Sequence, residues 1–196
     1  MFGHVSENVV NEPTRRRLST RQADTVRRLA TAGLEELRHS GYGGLTVRKV
    51  AARAGVTPAT AYTYFSSKNH LVAELFWRRL QALPATVEGA DRTERVVHVL
   101  RETSLLVSDE PDLAAACTTA ILGDDPDVQH LRLRIGTEIR HRLSAALGDE
   151  DDPTLIHALE FAWSGAMVRA GMGYASYDRV AQLLTETAEL IMGRAS

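Results

Sequence analysis

Two short helical patterns of apolar residues lie close together between positions 45 and 68. In the first, apolar side chains recur at i, i+3, i+4 and i+7, so they share one face of a helix. They are Val47, Val50, Ala51 and Ala54. Thr46 precedes them as a suitable N-cap, and Gly55 follows as a residue that ends a helix at little cost. The pattern predicts a short helix with one buried face.

The second pattern begins at Thr57, another N-cap candidate, with Pro58 in the first helical position, where its missing N–H costs nothing. Val56 is placed to pack on Ala61 at the start of this helix. If Val56, Ala61 and Phe65 point inward, four residues face outward. They are Ala59, Thr60, Thr63 and Tyr64.

A short turn that contains glycine makes two helices cross steeply, as in a helix-turn-helix whose second helix enters the major groove of DNA. On the outward face, Ala59 and Thr60 would approach thymine methyl groups and base edges, while tyrosine hydroxyls and Lys68 would reach phosphates. A plain helical hairpin with a solvated outer face explains the same pattern. The helix pair alone does not decide between these two interpretations.

The distribution of charge favours contact with DNA. Residues 14–68 contain 11 Lys or Arg and 3 acidic residues, a net charge of +8. The rest of the chain contains 12 basic and 22 acidic residues, a net charge of −10. The total of −2 therefore hides two electrostatically opposite parts, and a basic part of this kind is typical of nucleic-acid binding.

Residues 42–71 resemble the DNA-binding domain of the tetracycline-repressor (TetR) family. The motifs in register are Leu-Thr at 45–46, Ala-Gly-Val-Thr at 54–57, Tyr-x-Tyr-Phe at 62–65 and Ser-Lys-x-x-Leu at 67–71. The resemblance implies an all-α fold: an N-terminal three-helix DNA-binding domain with the helix-turn-helix, and a C-terminal helical ligand-binding and dimerisation domain. It also implies a ligand-responsive transcriptional repressor that binds a palindromic operator as a homodimer.

The resemblance also assigns roles to single residues. Phosphate contacts fall on Thr46, Thr57 and Lys68. Positions at the DNA surface are Thr60 and Tyr64, and base-facing positions are Ala59 and Thr63. Arg48 stands where the tetracycline repressor has a base-reading arginine. It would bond a guanine in a bidentate way, and a phosphate contact or no contact is the alternative.

Two positions depart from the family pattern. Ala61 occupies a place where the family usually has a larger apolar residue, and Asn69 replaces a common glutamate. The first departure predicts a lighter core beneath the second helix, with Tyr62 filling the space.

A scaffold helix is predicted before the helix-turn-helix, with Ser19 and Gln22 as a capping box. Its apolar residues follow helical spacing at Ala23, Val26, Leu29, Ala30, Gly33 and Leu37. The glycine-rich stretch 39–44 is expected to be a turn, and not a phosphate-binding loop, because it follows a helix rather than a strand. Residues 1–18 are expected to form a flexible basic arm. Its residues Arg15, Arg16 and Arg17 either reach a minor groove or phosphates or are simply solvated.

Helical patterns continue to the end of the chain. They predict a helix from Lys68 to Pro84 and then helices at 91–108, 111–122, 128–147, 153–175 and 177–193. Residues 131–135 alternate as a strand would, but the longer window fits a helix that ends at Gly148. The predicted domains are 19–83 for DNA binding and 84–196 for ligand binding and dimerisation.

The last two helices carry more apolar surface than a terminal hairpin buries by itself. The resemblance implies that they pair with a second copy as a four-helix bundle, so a C2 homodimer is expected. The predicted interface residues are Ala162, Gly165, Ala166, Gly173, Leu183, Leu184, Thr187 and Ile191. It is open whether the small-residue stripe or the apolar seam forms the interface, and both could instead serve the core of one chain.

An effector cavity is expected between the central helices. The residues that could line it are Trp77, His98, Thr103, Cys117, Phe161, Trp163 and Met167, with Leu100, Thr118 and Met172. This set favours a small apolar or amphipathic effector, and Arg101 or Arg169 would serve an anionic one. Each residue could instead belong to the core, and His98 could be an ordinary partnered histidine.

Composition excludes several other classes of protein. The single cysteine, Cys117, cannot form an internal disulfide, and no metal cluster or catalytic set can be assembled, so no cofactor, metal or enzymatic activity is expected. No apolar run is long enough for a signal peptide or a membrane span, which predicts a cytoplasmic protein without membrane contact. A helix-turn-helix protein that binds DNA nonspecifically or contacts protein partners is the main alternative, and an all-α enzyme is a further one.

Overall fold

The computed structural model describes residues 20–84, 91–148 and 152–194, and these residues form nine α-helices without a β-strand. The helices are α1 (Thr20–Gly44), α2 (Val47–Arg53), α3 (Pro58–Tyr64), α4 (Lys68–Ala82), α5 (Arg92–Ser104), α6 (Pro111–Leu122), α7 (Pro126–Leu147), α8 (Pro153–Gly171) and α9 (Tyr177–Arg194). The predicted all-α fold is confirmed. The predicted basic arm with Arg15, Arg16 and Arg17, and the cap at Ser19, lie outside the described residues.

The two short patterns form α2 and α3, which are joined and capped as their sequences predict. Thr46 Oγ1 accepts a hydrogen bond from the backbone N–H of Lys49 at 3.2 Å, and Thr57 Oγ1 accepts one from Thr60 at 3.2 Å. Gly55 in the connecting turn has a φ of +66°, a conformation that other residues adopt only with strain. The start of each helix and the turn are therefore set by local sequence.

Several helix boundaries differ from the predicted ones. The stretch 39–44 is helical rather than a turn, except at Gly41, because the backbone keeps helical bonding, with Leu45 N–H donating to the Gly41 carbonyl at 3.1 Å. Helix α5 ends at Ser104 instead of 108, since the chain turns through a hydrogen bond from Ser108 N–H to the Leu105 carbonyl. Residues 131–135 lie inside α7, which excludes the strand interpretation.

A buried carboxylate holds α2 against α1. Glu36 is 5% exposed, and its Oε2 accepts two hydrogen bonds from the Arg53 guanidinium at 2.9 and 3.2 Å. Lys49 Nζ lies 3.6 Å from the other carboxylate oxygen. The hydrogen bonds from Arg53 lower the pKa of Glu36, although burial opposes this effect. An ionised Glu36 therefore stabilises the orientation of the helix-turn-helix on α1.

Helix α4 is fixed to α7 at three points along its length. At its start, Ser67 Oγ donates to Asp125 Oδ2 at 2.5 Å, which joins the N-cap residues of the two helices. In the middle, the Arg134 guanidinium lies 4.4 Å from the centre of the Trp77 ring. At its end, the largely buried Arg142 donates to the carbonyls of Leu80, Leu83 and Pro84 at 3.1, 3.3 and 2.7 Å. Because these contacts follow one another in the same order along both helices, α4 and α7 run parallel.

The remaining helices of the C-terminal bundle pack around α7. Helix α5 runs antiparallel to it, with Arg95 Nε donating to the Ala146 carbonyl at 2.9 Å. Helix α8 is also antiparallel, with a bidentate pair between Arg140 and Glu160 at 2.7 and 3.0 Å. Helices α6 and α8 approach so closely that a Cβ on Gly171 would lie 1.6 Å from Thr118 Oγ1. Among the described helices, none combines the length and the apolar character that crossing a membrane requires.

The turn between α2 and α3 generates a prediction about Gly55. Gly55→Ala should lower the free energy of unfolding by about 1–2 kcal/mol, because an L-residue resists a positive φ. No clash contributes, since no atom lies within 4 Å of the added Cβ. The control is Gly136→Ala inside α7, where the site is equally open and the substitution should raise stability by up to about 1 kcal/mol. Urea unfolding measures both, and equal effects of the two changes would contradict the turn geometry.

Glu36 predicts that the fold is sensitive to acid. Because its pKa is lower in the folded protein than in the unfolded chain, its stabilising effect is present at neutral pH and is lost as the pH falls below about 5 towards the folded-state pKa. Glu36→Gln should lower the free energy of unfolding at neutral pH by about 1–3 kcal/mol. It should also make the free energy of unfolding fall less steeply as the pH is lowered. Urea unfolding at a series of pH values tests this.

The matched control for this prediction is Glu35→Gln. Glu35 also faces Arg53, at 3.9 Å, but its side chain is 49% exposed, so its loss should change stability little. A Glu36→Gln variant that keeps the wild-type decline with acid would show that this carboxylate does not hold the two helices together.

Candidate DNA-binding interface

The outer face of α3 is formed by small and hydroxyl side chains. Ala61 and Phe65 are buried beneath the helix, whereas Ala59 and Thr63 are exposed. Thr60 and Tyr64 are half-buried at the edges of this face. The expectation that Tyr62 fills the space beside Ala61 is wrong: Tyr62 is 50% exposed, because helical geometry turns it to the solvent side. It therefore adds a phenol to the outer surface.

Local hydrogen bonds already use the Thr63 hydroxyl hydrogen and one of the two hydroxyl hydrogens of Thr57 and Thr60. Thr63 Oγ1 donates to the Ala59 carbonyl at 3.0 Å, and the hydroxyl oxygens of Thr57 and Thr60 are 2.9 Å apart. Their oxygen lone pairs and methyl groups are left for an incoming molecule. The face can therefore accept hydrogen bonds and contact apolar groups such as thymine methyls.

Much of the positive charge in this part of the chain is paired inside the protein. Lys49 and Arg53 bind Glu36, and Arg28 donates to the Ala54 carbonyl at 3.3 Å, where α2 ends. Arg48 is different, because it is exposed and makes no hydrogen bond or ion pair with any part of the chain that the structure describes. Its guanidinium is therefore available to a partner without the loss of an internal contact.

Lys68 lies at the start of α4 and is held against α1. Its Nζ donates to the Tyr42 carbonyl at 3.0 Å and lies 4.1 Å from the centre of the Tyr42 ring. The Tyr42 hydroxyl in turn bonds the side chain of Asn69, and burial raises the pKa of Tyr42. Asn69, one of the departures from the family pattern, therefore has a role in fixing α1 to α4. The other ammonium hydrogens of Lys68 are left for a phosphate.

Sequence reasoning missed the ion cluster that joins these helices to the C-terminal bundle. Glu110, at the start of α6, accepts a bidentate pair from Arg38 of α1, with one distance of 2.9 Å. Arg79 of α4 lies 3.4 Å from the same carboxylate and 2.8 Å from Asp109. The hydrogen bond from Arg38 lowers the pKa of Glu110. No local pattern marks these residues, because the partners are far apart in sequence.

The residues proposed for an effector cavity do not all share one environment. Trp77, Thr103 and Cys117 are buried, and Trp163 and Met167 are half-buried. Burial raises the pKa of the Cys117 thiol to about 12, so it stays protonated at neutral pH. These five residues come from four different helices of the bundle.

Two members of the proposed cavity are wrong because they lie on the outside. Phe161 is 77% exposed, on the outer side of α8. His98 is exposed and borders a cavity of about 20 Å³, which is too small for an effector. Helical spacing groups residues on one face of a helix, but it does not show whether that face points into the bundle or to solvent.

The residues proposed for the dimer interface separate in a similar way. Leu184 is 3% exposed and packs in the core of its own chain, so its assignment to an interface is wrong. Seven others have some exposed surface on α8, on α9 or in the turn between them: Ala162, Gly165, Ala166, Gly173, Leu183, Thr187 and Ile191. Four further large hydrophobic residues in this segment are exposed, and they are Phe161, Met172, Tyr174 and Leu190.

Comparison with known proteins identifies the fold and the helix-turn-helix. The model of the bacterial regulatory proteins of the tetR family matches residues 29–75. An uncharacterized HTH-type transcriptional regulator of Mycobacterium tuberculosis is 45% identical over 179 residues, which cover 90% of this chain and 84% of that protein. The HTH-type transcriptional repressor KstR of Rhodococcus jostii is 26% identical over 185 residues, covering 91% and 87% of the two chains.

A solved structure agrees with these relatives over nearly the whole chain. The crystal structure of a TetR transcriptional regulator from Rhodococcus sp. RHA1 superposes with a TM-score of 0.73 at 22% identity, covering 91% of this chain and 100% of that one. The match extends from the helix-turn-helix through the C-terminal helices. The chain therefore belongs to the TetR family of transcriptional regulators, which are DNA-binding proteins and not enzymes.

Proposed function

We propose that this protein is a homodimeric repressor that binds a palindromic operator and is released from it by a small effector. The observation that carries sequence-specific binding is the outer face of α3 together with the exposed guanidinium of Arg48, which pairs with none of the described residues. A relative with 26% identity is named a repressor, which supports repression. Occupation of an operator would then block transcription directly.

The chemistry of the interface supports separate roles for residues that would contact bases and residues that would contact phosphates. Arg48 carries two parallel donors that match the O6 and N7 acceptors of guanine, and Ala59 and Thr63 present methyl groups to thymine. Thr46, Thr57 and Lys68 lie at the starts of α2, α3 and α4, where they would contact phosphates. The outward side of Tyr64, with Thr60, would follow the DNA surface. Tyr62 adds a hydroxyl that could bond a phosphate.

The exposed apolar surface of α8 and α9 supports dimerisation through these helices. Phe161, Gly165 and Met172 recur on the outer side of α8, and Leu183, Thr187 and Leu190 do so on α9. Large apolar side chains that remain exposed together are typical of an interaction surface. Glycines between them allow a second helix to approach closely. A two-fold pairing of this surface would place two copies of α3 on successive major grooves.

Release by an effector would act through α4 and α6. Helix α4 is fixed to α7, and Glu110 of α6 holds Arg38 of α1, so a shift within the bundle would reorient the helix-turn-helix. An effector that binds better to the reoriented state lowers the population that can bind DNA. The affinity of the effector and of the DNA would then be linked reciprocally.

Selection from a random DNA library tests the proposal and the role of Arg48. We expect the wild-type protein to enrich one inverted repeat. On that sequence and on variants with single base changes, Arg48→Ala should reduce discrimination at one position of each half-site by about 1–3 kcal/mol. Fluorescence anisotropy with labelled duplexes measures the affinities.

The matched control is Lys68→Met, which removes a charge but keeps much of the apolar stem over Tyr42. It should weaken binding to all sequences by a similar factor and reduce the dependence of affinity on salt. Enrichment of no sequence by the wild-type protein would favour the alternative of nonspecific binding or protein contact. A uniform loss with Arg48→Ala would assign Arg48 to a phosphate.

The dimer surface predicts the effect of a charge at its centre. Phe161→Arg should convert the protein to monomers and weaken its binding to the inverted repeat, because a buried charge on the two-fold surface is unpaired. Sedimentation equilibrium measures the assembly. The control is Leu133→Arg on α7, a helix outside the proposed interface, where the side chain is 67% exposed. A dimeric Phe161→Arg variant, or a monomeric wild type, would be incompatible with the proposed interface.

A further inference from the structure

Two buried polar atoms in the C-terminal bundle have no hydrogen-bond partner among the described residues. They are Oγ of Ser104, a residue with no exposed surface, and Nε1 of Trp163. A buried polar group without a partner loses its hydration without compensation, so native proteins keep few of them. Both atoms occur among helices that contribute residues proposed for the effector cavity. A single bound molecule would therefore be able to supply partners to both atoms.

The register of the helices places the two residues at one height in the bundle. Arg95 of α5 bonds Ala146 of α7, and Ser104 follows nine residues later, level with residue 137 of the antiparallel α7. Glu160 of α8 bonds Arg140, and Trp163 follows three residues later, again level with residue 137. The equal rise of 1.5 Å per residue makes this agreement good to about one helical turn. The two unpartnered atoms therefore belong to the same layer.

Other proposed cavity residues lie near this layer. Trp77 lies beside Arg134, one turn of α7 from residue 137. Gly171 meets Thr118, so α8 touches α6 about two turns beyond Trp163, and Met167 lies between these two positions. The layer thus has apolar walls from α4, α6 and α8 and two free polar atoms from α5 and α8. Apolar walls with few polar atoms are typical of a small-molecule site.

We propose that Ser104 Oγ and Trp163 Nε1 are the polar recognition point for the effector, which is an apolar molecule with a neutral oxygen, such as a ketone or an alcohol. This inference rests on the proposed function, since it names the chemistry of that effector. The indole N–H only donates, so the ligand must supply an acceptor. The serine hydroxyl can donate to a ketone oxygen or accept from an alcohol.

The charges near the layer favour a neutral ligand over an anion. Arg134 is stacked on Trp77, Arg140 is paired with Glu160, and Arg79 is paired with Asp109 and Glu110. Arg101 and Arg169, the residues considered for an anionic effector, are exposed. A carboxylate in the layer would therefore be desolvated without a free cation, whereas a ketone would lose little hydration and gain two donors.

The layer is close-packed, so binding has to displace side chains or move α8 from α5. Ser104 is the last residue of α5, and the chain reaches Glu110 and its contact with Arg38 only six residues later. A displacement at Ser104 can therefore pass to α1 through this short segment. The expected consequence is that an effector in the layer weakens binding to DNA.

The test uses the full-length protein with 2-alkanones of six to twelve carbons and, as matched ligands, the alkanes and alkanoates of the same lengths. Thermal unfolding and calorimetry measure binding, since a ligand of the native state raises the melting temperature. We expect a 2-alkanone to stabilise the protein more than the matched alkane and alkanoate. Trp163→Phe and Ser104→Ala should each weaken its binding about fivefold without weakening that of the alkane.

Two controls separate recognition from changes in folding. Without ligand, Ser104→Ala should unfold at or above the wild-type temperature, because it loses an unpartnered polar atom. Trp163→Phe should unfold at or below it, because the smaller ring also leaves a void against the core. Ser108→Ala removes a hydroxyl that already donates to the Leu105 carbonyl at 2.8 Å, and it should leave alkanone binding unchanged. Equal stabilisation by alkanone and alkane, no stabilisation by any alkanone, or equal alkanone binding by Trp163→Phe and wild type would each overturn the inference.

Failure of this inference can be distinguished from failure of the proposed function. The affinity for the enriched inverted repeat is measured on the same variants without alkanone, and there it should equal that of the wild type. Specific DNA binding without an alkanone effect rejects the ketone or alcohol and leaves the repressor proposal standing. Absence of specific DNA binding rejects the proposed function itself.

Discussion

The attachment of α4 to α7 is the constraint on which the rest of this structure depends. Helix α4 carries Lys68 at the end near the helix-turn-helix and Trp77 in the middle of the C-terminal bundle. Contacts at Asp125, Arg134 and Arg142 fix its start, middle and end to α7. Because its start, middle and end are each attached, α4 follows the orientation of α7 along its whole length. In the proposed mechanism, a displacement of α7 would therefore reach α1 and α3 as a movement of the whole of α4.

Internal pairing changes the meaning of the positive charge in the N-terminal part. Its net charge of +8 suggests a broad DNA-binding surface, but Glu36, Glu110 and a helix-ending carbonyl take up several of these cations. The paired cations hold the helices against one another, which narrows the surface proposed for DNA to Arg48, Lys68 and the outer side of α3. Composition measures charge, whereas only contacts show which charges remain available.

Local patterns predicted the helix-turn-helix well, since its determinants are close in sequence. The caps at Thr46 and Thr57 bond N–H groups three residues away, and Gly55 needs no distant partner to adopt its φ. The C-terminal helices were found with errors of a few residues at their ends. Errors in the direction of side chains were larger: Phe161 and His98 point outward, and Leu184 points inward. Periodicity groups residues on a face, but a helix with apolar residues on two faces does not reveal which one is buried.

The sequence by itself determined the family, the all-α fold, the ends of α2 and α3 and, apart from Tyr62, the residues that α3 turns outward, because each depends on interactions within a few residues. Only the tertiary structure decided that Glu110 connects Arg38 with Arg79, that α7 fixes α4, and that Ser104 Oγ and Trp163 Nε1 are buried with no hydrogen-bond partner in the described part of the chain. These features join residues from separate helices, and the spacing of residues along the chain contains no information about such pairs. Packing determines them when the helices of the bundle come together.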